Sequence, residues 1–458
     1  LPDFFTNNYH FQKMAKRHLP VGIDDMAAYL PSLYLDIRDL AEARGIQYEK
    51  LANGLGLLKM AFPDVHEDAA TMAAEAISEL MEKNGLRPEQ IGRVYLGTES
   101  ALDGAKPTAT YAVEMVQQRL GGSFRHCDVV DMTFACIAAT DALQNCLDWV
   151  AGDKERIAIV VASDFAKYES DSTGEYTQGA GAVAVLVKWN PRLLVFPRQF
   201  GVAMDSVHDF YKPRRKEFTE TPIFDGPFSN QCYQDRMTEA LAHFREVAGA
   251  SENALSDRWE RMAFHLPYSY HAKRIYVEEF AKEMMAKGEW AVAPDAKTIS
   301  QSVEYKSFVK HKLEKAQRAS SLIGNLYTGS VFMALMSTFD SDASENSRLA
   351  GKRMGMVAYG SGSKAKVFEG IVQKNWKEVA SQFQLMEKLE NRRAIDYTTY
   401  EQLHHHQRLH SVFPQEGRFA LQSIGTEGTV LGARYYGSFH LNGKAVVKRP
   451  VEKLVAIL

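Results

Sequence analysis

A cysteine placed between a buried strand and a helix is the first residue that could do chemistry. Cys136 stands in Met132-Thr133-Phe134-Ala135-Cys136-Ile137-Ala138-Ala139-Thr140. A thiol at a helix N-terminus meets the positive end of the dipole and unpaired backbone N–H groups. Both lower its pKa and raise its thiolate fraction. The small residues that follow leave room for a substrate. Glu99 is the second candidate, in Tyr95-Leu96-Gly97-Thr98-Glu99-Ser100. In an open α/β sheet the carboxyl ends of strands line the ligand crevice. A carboxylate buried there can serve as a general base. His265 is the third. It ends the apolar run Met262-Ala263-Phe264, and Pro267 halts the strand so that the imidazole sits at its tip. Each has an ordinary alternative: a core thiol, a helix-capping or solvated acid, a structural histidine.

Other signals are weaker. Gly179-Ala180-Gly181-Ala182 permits close backbone packing but lacks the dinucleotide G-x-G-x-x-G pattern. Tyr359-Gly360-Ser361-Gly362-Ser363 is either a hairpin turn or a loop offering a backbone N–H to an oxyanion. His404, His405 and His406 are adjacent and point in different directions on a helix, whereas two ligands on one face need a spacing of three or four. Cys127, Cys146 and Cys232 lack the setting of Cys136 and read as packing residues.

The elements that must position these groups alternate between strand and helix in the first half. Val21 to Tyr29 reads as a strand, Asp36 to Gly45 as a helix, and Glu67 to Asn84 as an amphipathic helix stopped by Gly85 and Pro88. A strand over Ile91 to Gly97, a helix over Thr108 to Leu120 and a strand over His126 to Thr133 lead to Cys136 and a further helix ending near Val150. Ile157 to Ser163 and Ala180 to Val187 are apolar enough to be strands covered on both faces. In the second half, helices are expected at Tyr233 to Ala248, His271 to Ala286, Val303 to Ala319, Ser330 to Phe339, Trp376 to Leu389 and Thr398 to His406. Strands are expected at Arg261 to His265, Met354 to Tyr359, Ala365 to Ile371 and Arg418 to Phe439. No Pro/Gly/Ser-rich linker divides the chain. Two intimately packed α/β halves follow, over residues 21–190 and 191–458, after an N-terminal extension over 1–20.

Composition narrows the class. The chain has 458 residues, 45% of them hydrophobic and 24% charged, with a formal net charge of −3. That excludes a disordered chain, a collagen-like rod and a coiled coil, and gives no overall basic excess for nucleic acid. Four cysteines are too few for a disulfide framework, so a reducing, cytoplasmic setting is expected. The longest apolar runs fall short of a membrane span. The leader carries Lys13, Lys16 and Arg17 against Asp3, with no signal-peptide core; a transit-peptide character is its alternative.

Taken together and in order, these segments resemble 3-hydroxy-3-methylglutaryl-CoA (HMG-CoA) synthases of the thiolase superfamily. The likeness rests on Thr98-Glu99-Ser100, Ala135-Cys136-Ile137-Ala138-Ala139-Thr140, Gly174 to Ala182, Asp209-Phe210-Tyr211-Lys212-Pro213, Asp225-Gly226, Phe264-His265-Leu266-Pro267-Tyr268, Gly324 to Ser330 and Tyr359 to Ser363. The resemblance implies a five-layered α-β-α-β-α thiolase-like fold with two duplicated halves, and a homodimer for which Gly179 to Val187 is the candidate contact. It assigns catalysis to Glu99, Cys136 and His265. It assigns acyl-thioester binding to Asn325, Tyr327 and Ser361, with Asp164, Asp209, Tyr211 and Thr177 around the pocket. It further implies condensation of acetyl-CoA with acetoacetyl-CoA through an acetyl-cysteine, in mevalonate and isoprenoid synthesis, with no metal or other cofactor. Two departures stand out: Phe134 where many members carry an acid, and Tyr270 where many carry a CoA-associated lysine, a part Lys273 or a basic residue near the leader could take over. The alternatives are a β-branching enzyme acting on carrier-protein thioesters in polyketide assembly, and a non-catalytic scaffold. A ketosynthase or a thiolase fits less well, given Glu99 and the absence of a second catalytic cysteine.

Overall fold

The computed structural model describes residues 20–213, 220–250 and 254–439. The expected extension over 1–20, apart from Pro20, and the end of the chain from residue 440 lie outside the described residues. The centre is a sheet of ten strands: β1 (Val21–Tyr29), β2 (Arg93–Gly97), β3 (Asp128–Met132), β4 (Ile157–Ala166), β5 (Gly179–Trp189), β6 (Leu194–Val195), β7 (Phe200–Met204), β8 (Arg261–Phe264), β9 (Arg353–Gly360) and β10 (Lys364–Val372).

The pairing repeats. In the first half β1 lies antiparallel to β5, β5 antiparallel to β4, and β4 parallel to β2. In the second half β7 lies antiparallel to β10, β10 antiparallel to β9, and β9 parallel to β8. The first half adds β3, parallel to β2. The two-residue strand β6 pairs with both β1 and β10 and joins the repeats. Glu99 therefore follows the tip of β2, and His265 follows the tip of β8, its counterpart in the duplication. Cys136 lies beyond the added strand β3.

Helices cover the sheet because their apolar faces have nowhere else to go. Helices α1 (Ala69–Lys83) and α2 (Thr108–Leu120) share one core with the outward residues of β2, β4 and β5. Helices α3 (Ala138–Val150), α4 (Gly226–Val247) and α5 (Ser330–Ser344) share a second, continuous core that runs through both repeats. Strand β5 is closed in on both sides by β1 and β4, and its residues from Gly179 to Val187 are buried. It cannot be the subunit contact expected of it: an interior strand has no free edge or face to offer. The exposed edge on that side is β3.

Three close approaches bring the strand ends to one place. A Cβ on Gly97, the last residue of β2, would lie 2.2 Å from the Ala139 backbone nitrogen at the start of α3. One on Gly360, at the tip of β9, would lie 2.7 Å from the Phe134 carbonyl and 2.9 Å from the Ile137 nitrogen. Gly324 has φ +91° and would meet the Gln178 carbonyl at 1.8 Å, so only glycine fits there. Gly97→Ala is expected to force β2 from α3, costing about 1–3 kcal/mol of stability. Thermal unfolding should show the loss, with activity falling further than the melting temperature accounts for.

Candidate active site

The Cys136 loop is built under local strain. Ala135 has φ +40°, a left-handed conformation that costs a non-glycine residue about 1–2 kcal/mol. Helix α3 begins at Ala138 with Ile137 as its cap, so Cys136 precedes the first turn. Its sulfur, in a residue 8% exposed, donates to Glu99 Oε1 at 2.9 Å. The thiol is not lowered, as its place before a helix suggests. Burial pushes it well up, and the Glu99 carboxylate pushes it further. Burial also raises Glu99 to about 7, with Lys212 opposing and Asp164 adding to the rise. The resting pair is a neutral thiol on a carboxyl group poised to gain or lose a proton near neutrality.

Asp164 holds Glu99 in place. Fully buried at β4, it accepts from the Glu99 backbone N–H at 2.7 Å, Thr98 Oγ1 at 2.9 Å and Ser100 Oγ at 3.1 Å. Its other oxygen takes the Thr328 N–H at 3.0 Å and the Thr328 hydroxyl. One carboxylate thus ties the tip of β2 to the turn after Asn325. That turn is fixed again by Asn325, whose Oδ1 accepts the Tyr327 N–H and whose N–H reaches the Thr177 carbonyl, each at 2.8 Å. Tyr327 sits in it at φ +43°. Cys136, Tyr168 and Tyr327 form a small apolar cluster with Phe210 and Phe224 against it. Tyr168, Phe210 and Lys212 were not singled out in the sequence. Tyr211, which was, is 40% exposed, because on a two-residue strand neighbouring side chains face opposite ways and Phe210 takes the inner side.

Asp209 does for the Ser361 loop what Asp164 does for Glu99. It is fully buried and accepts from the Gly362 N–H at 2.8 Å, Tyr359 OH at 2.9 Å and Ser229 Oγ at 3.0 Å. The Ser363 N–H goes to the Asp205 carbonyl at 2.6 Å, which leaves Ser361 as the loop's available donor among the described residues. His265 is buried, its Nδ1 has no partner among the described residues, and burial lowers it to about 3. It is held as a neutral imidazole. The Tyr233 hydroxyl donates to its carbonyl at 2.9 Å, and the Tyr233 ring stacks on Tyr359 at 4.3 Å. The same aromatic wall therefore serves the imidazole and the Ser361 loop.

The departures find local explanations. The Phe134 ring lies under the Lys364 ammonium, 3.9 Å away, and that lysine pairs with Asp141 at 2.6 Å on α3. Tyr270 packs on Gly56 and carries the Lys273 ammonium 3.1 Å from its ring centre. The three adjacent histidines bond within the protein: His404 to the Tyr168 carbonyl, His404 and His405 to the Ser170 hydroxyl, His406 to Glu220. No group of three or more His, Cys, Asp or Glu among the described residues is arranged to hold a metal ion.

A thiol, a carboxyl group and a neutral imidazole at the strand ends of a duplicated sheet suit a carbon–carbon condensing enzyme of thiolase-like fold. Comparison with known proteins narrows this. The family described as hydroxymethylglutaryl-coenzyme A synthase matches with its N-terminal part over residues 17–191 and its C-terminal part over 194–423. The chain belongs to that family. The hydroxymethylglutaryl-CoA synthase of Haloferax volcanii is 33% identical over 411 residues, covering 84% of this chain and 91% of that protein. That of Schizosaccharomyces pombe is 31% identical over 435 residues, covering 89% and 94%. The solved structure of MvaS in complex with 3-hydroxy-3-methylglutaryl coenzyme A superposes with a TM-score of 0.80 at 30% identity, over 92% of this chain and 99% of that one. The HMG synthase of the curacin biosynthetic pathway shares the fold at 22% identity, with a TM-score of 0.77 in its complex with an acetyl donor carrier protein.

The raised Glu99 carboxyl has a consequence for stability. An acid lifted from 4.5 to about 7 costs nothing below pH 4.5, and its cost to the folded state is complete above about pH 7. Glu99→Gln, which cannot ionise, should therefore gain stability relative to the native protein as pH rises, by about 3 kcal/mol at pH 8. Denaturant titrations across that window check the sign.

Proposed function

We propose that the protein condenses acetyl-CoA with acetoacetyl-CoA and water to give 3-hydroxy-3-methylglutaryl-CoA and CoA, supplying mevalonate and isoprenoid synthesis. The observation that carries the reading is the 2.9 Å contact between the Cys136 thiol and Glu99. Glu99 takes the thiol proton as sulfur attacks the acetyl carbonyl, and CoA leaves with a proton as its thiol. The Ser361 and Cys136 N–H groups receive the tetrahedral oxyanion. Glu99, again a carboxylate, then removes a methyl proton from the acetyl thioester. The new carbanion adds to the ketone carbon of acetoacetyl-CoA. His265, kept neutral by burial, donates a hydrogen bond to that ketone and to the alkoxide it becomes. The proton on Glu99 returns to the alkoxide. Water then cleaves the Cys136 thioester, and the sulfur is reprotonated. Asn325, Tyr327 and Thr177 shape the acyl pocket, and Asp164 and Asp209 position the reacting groups. Thiol, carboxyl and imidazole complete this sequence without a metal or redox cofactor.

A cleft of about 650 Å³ beside Tyr270 supports a phosphorylated carrier for the acyl groups. Lys273, Arg274, Lys297, Lys306 and Lys310 line it, with Glu314 as the one acid. Lys273 on its Tyr270 platform stands in for the family lysine. Lys297→Glu with Lys310→Glu should raise the KM for acetyl-CoA about tenfold or more and flatten its dependence on salt, with kcat little changed. An equal loss with acetyl-pantetheine, which lacks the nucleotide phosphates, would remove the cleft from this role.

The reading also carries a homodimer working in the cytoplasm. Strand β3, paired on one side only within the sheet, supports a second copy adding there, and no described helix is long and apolar enough to cross a membrane. Mass spectrometry of the protein incubated with acetyl-CoA should show one acetyl group on Cys136, absent in Cys136→Ala. Glu99→Ala should slow this acetylation and reduce condensation on the order of 10²–10⁴-fold. Normal acetylation of Cys136→Ala overturns the reading. A requirement for carrier-bound rather than free acetoacetyl thioester favours the polyketide branch instead.

A further inference from the structure

The mechanism needs the Cys136–Glu99 pair to hold one negative charge in a dry pocket, at considerable cost without a nearby cation. The leading charges on Glu99 are Lys212, Asp164, Cys136 and Asp209. Those on Cys136 are Glu99, Asp164 and Lys212. The hydroxyls of Tyr168, Tyr327 and Tyr233 are pushed up chiefly by burial, with Cys136 adding to the rise. Among these groups, drawn from β2, β4, the Cys136 loop, the turn after Asn325 and α4, Lys212 alone is a cation.

Its placement is specific. Lys212 Nζ donates to the Glu99 backbone carbonyl at 3.1 Å and lies 4.9 Å from the centre of the Tyr327 ring. It makes no ion pair with a described carboxylate. The ammonium is therefore fixed by a neutral oxygen and a ring face, and its charge is left to act on the pair. Phe210 and Tyr327, packed edge to face at 5.8 Å, anchor the segment that carries it.

We propose that Lys212 is a positioning residue for the acyl-transfer step: held between the Glu99 carbonyl and the Tyr327 ring, it stabilises the anionic form of the Cys136–Glu99 pair and so sets the pH at which the thiol becomes a nucleophile. The proposal deepens the acyl-transfer reading above, yet its test needs no acyl-CoA. Site-resolved alkylation of Cys136 by iodoacetamide, followed by mass spectrometry across pH 6–10 on the full chain, reads the thiolate directly. Lys212→Met should move the profile to higher pH by about one unit, a tenfold slower reaction near neutrality. Lys212→Arg, which keeps the charge, should restore it to within about threefold. A Lys212→Met profile that overlays the native one overturns the proposal. A loss that arginine does not restore overturns it too, because packing rather than charge would then be at work. A shifted alkylation profile in a protein that acetyl-CoA fails to acetylate would leave Lys212 in its role and remove the proposed reaction.

Discussion

A buried thiol and a half-buried carboxylate 2.9 Å apart cannot both be ionised, and the site is organised around that constraint. One proton belongs to the pair. In the proposed condensation, where it resides decides whether sulfur attacks or carboxylate abstracts, and each step through an acyl-cysteine moves it. Burial supplies the tuning, lifting Glu99 to about 7, where a base is neither fully protonated nor too weak. Burial also lowers His265 to about 3, so in the proposed reaction the imidazole polarises the ketone as a neutral donor and adds no second cation to the pocket.

The scaffold answers with buried carboxylates used as pins. Asp164 and Asp209 are each fully enclosed, and each gathers donors from separate segments of chain. A carboxylate that accepts several hydrogen bonds fixes backbone more firmly than packing alone, because every donor released would be left unsatisfied in a dry interior. Glycines at Gly97 and Gly360 let strand tips touch the Cys136 loop without an intervening side chain. The strain at Ala135 and Tyr327 is sustained by this surrounding network.

Much of this was legible in the residues. The helix at Thr108–Leu120 and the strand at Val21–Tyr29 appear with the ends their periodicity and flanking residues predict. Misreadings came where a step is shorter than a period. The segment from His271 to Ala286 reads as one helix but divides at Tyr276, whose ring stacks on Phe308 and whose hydroxyl reaches Glu283. From Val303 onward a π-turn over Val309–Leu313 interrupts an unbroken apolar pattern. Arg418 to Phe439 is a hairpin of Phe419–Ile424 and Arg434–Ser438, turned through glycines whose spacing was visible but unread. At the site, Cys136, Glu99 and His265 each stand at a strand-to-loop junction and could be found. The thiol's raised pKa could not, since it depends on how deeply the loop is enclosed. Nor could Lys212, an ordinary cation in the chain that matters only because the fold lays it across Glu99.

The doubled architecture makes catalysis more fragile than folding. Glu99 and His265 stand at matching positions of two repeats, so their separation is a property of how the repeats are aligned and of neither repeat alone. In the sheet that alignment passes through Leu194 and Val195, flanked by Gly22, where a Cβ would strike the Leu194 carbonyl at 1.8 Å. A small slip across so narrow a seam would detune the two groups before the core that runs through both repeats came apart. Warming should thus silence turnover before it melts the chain.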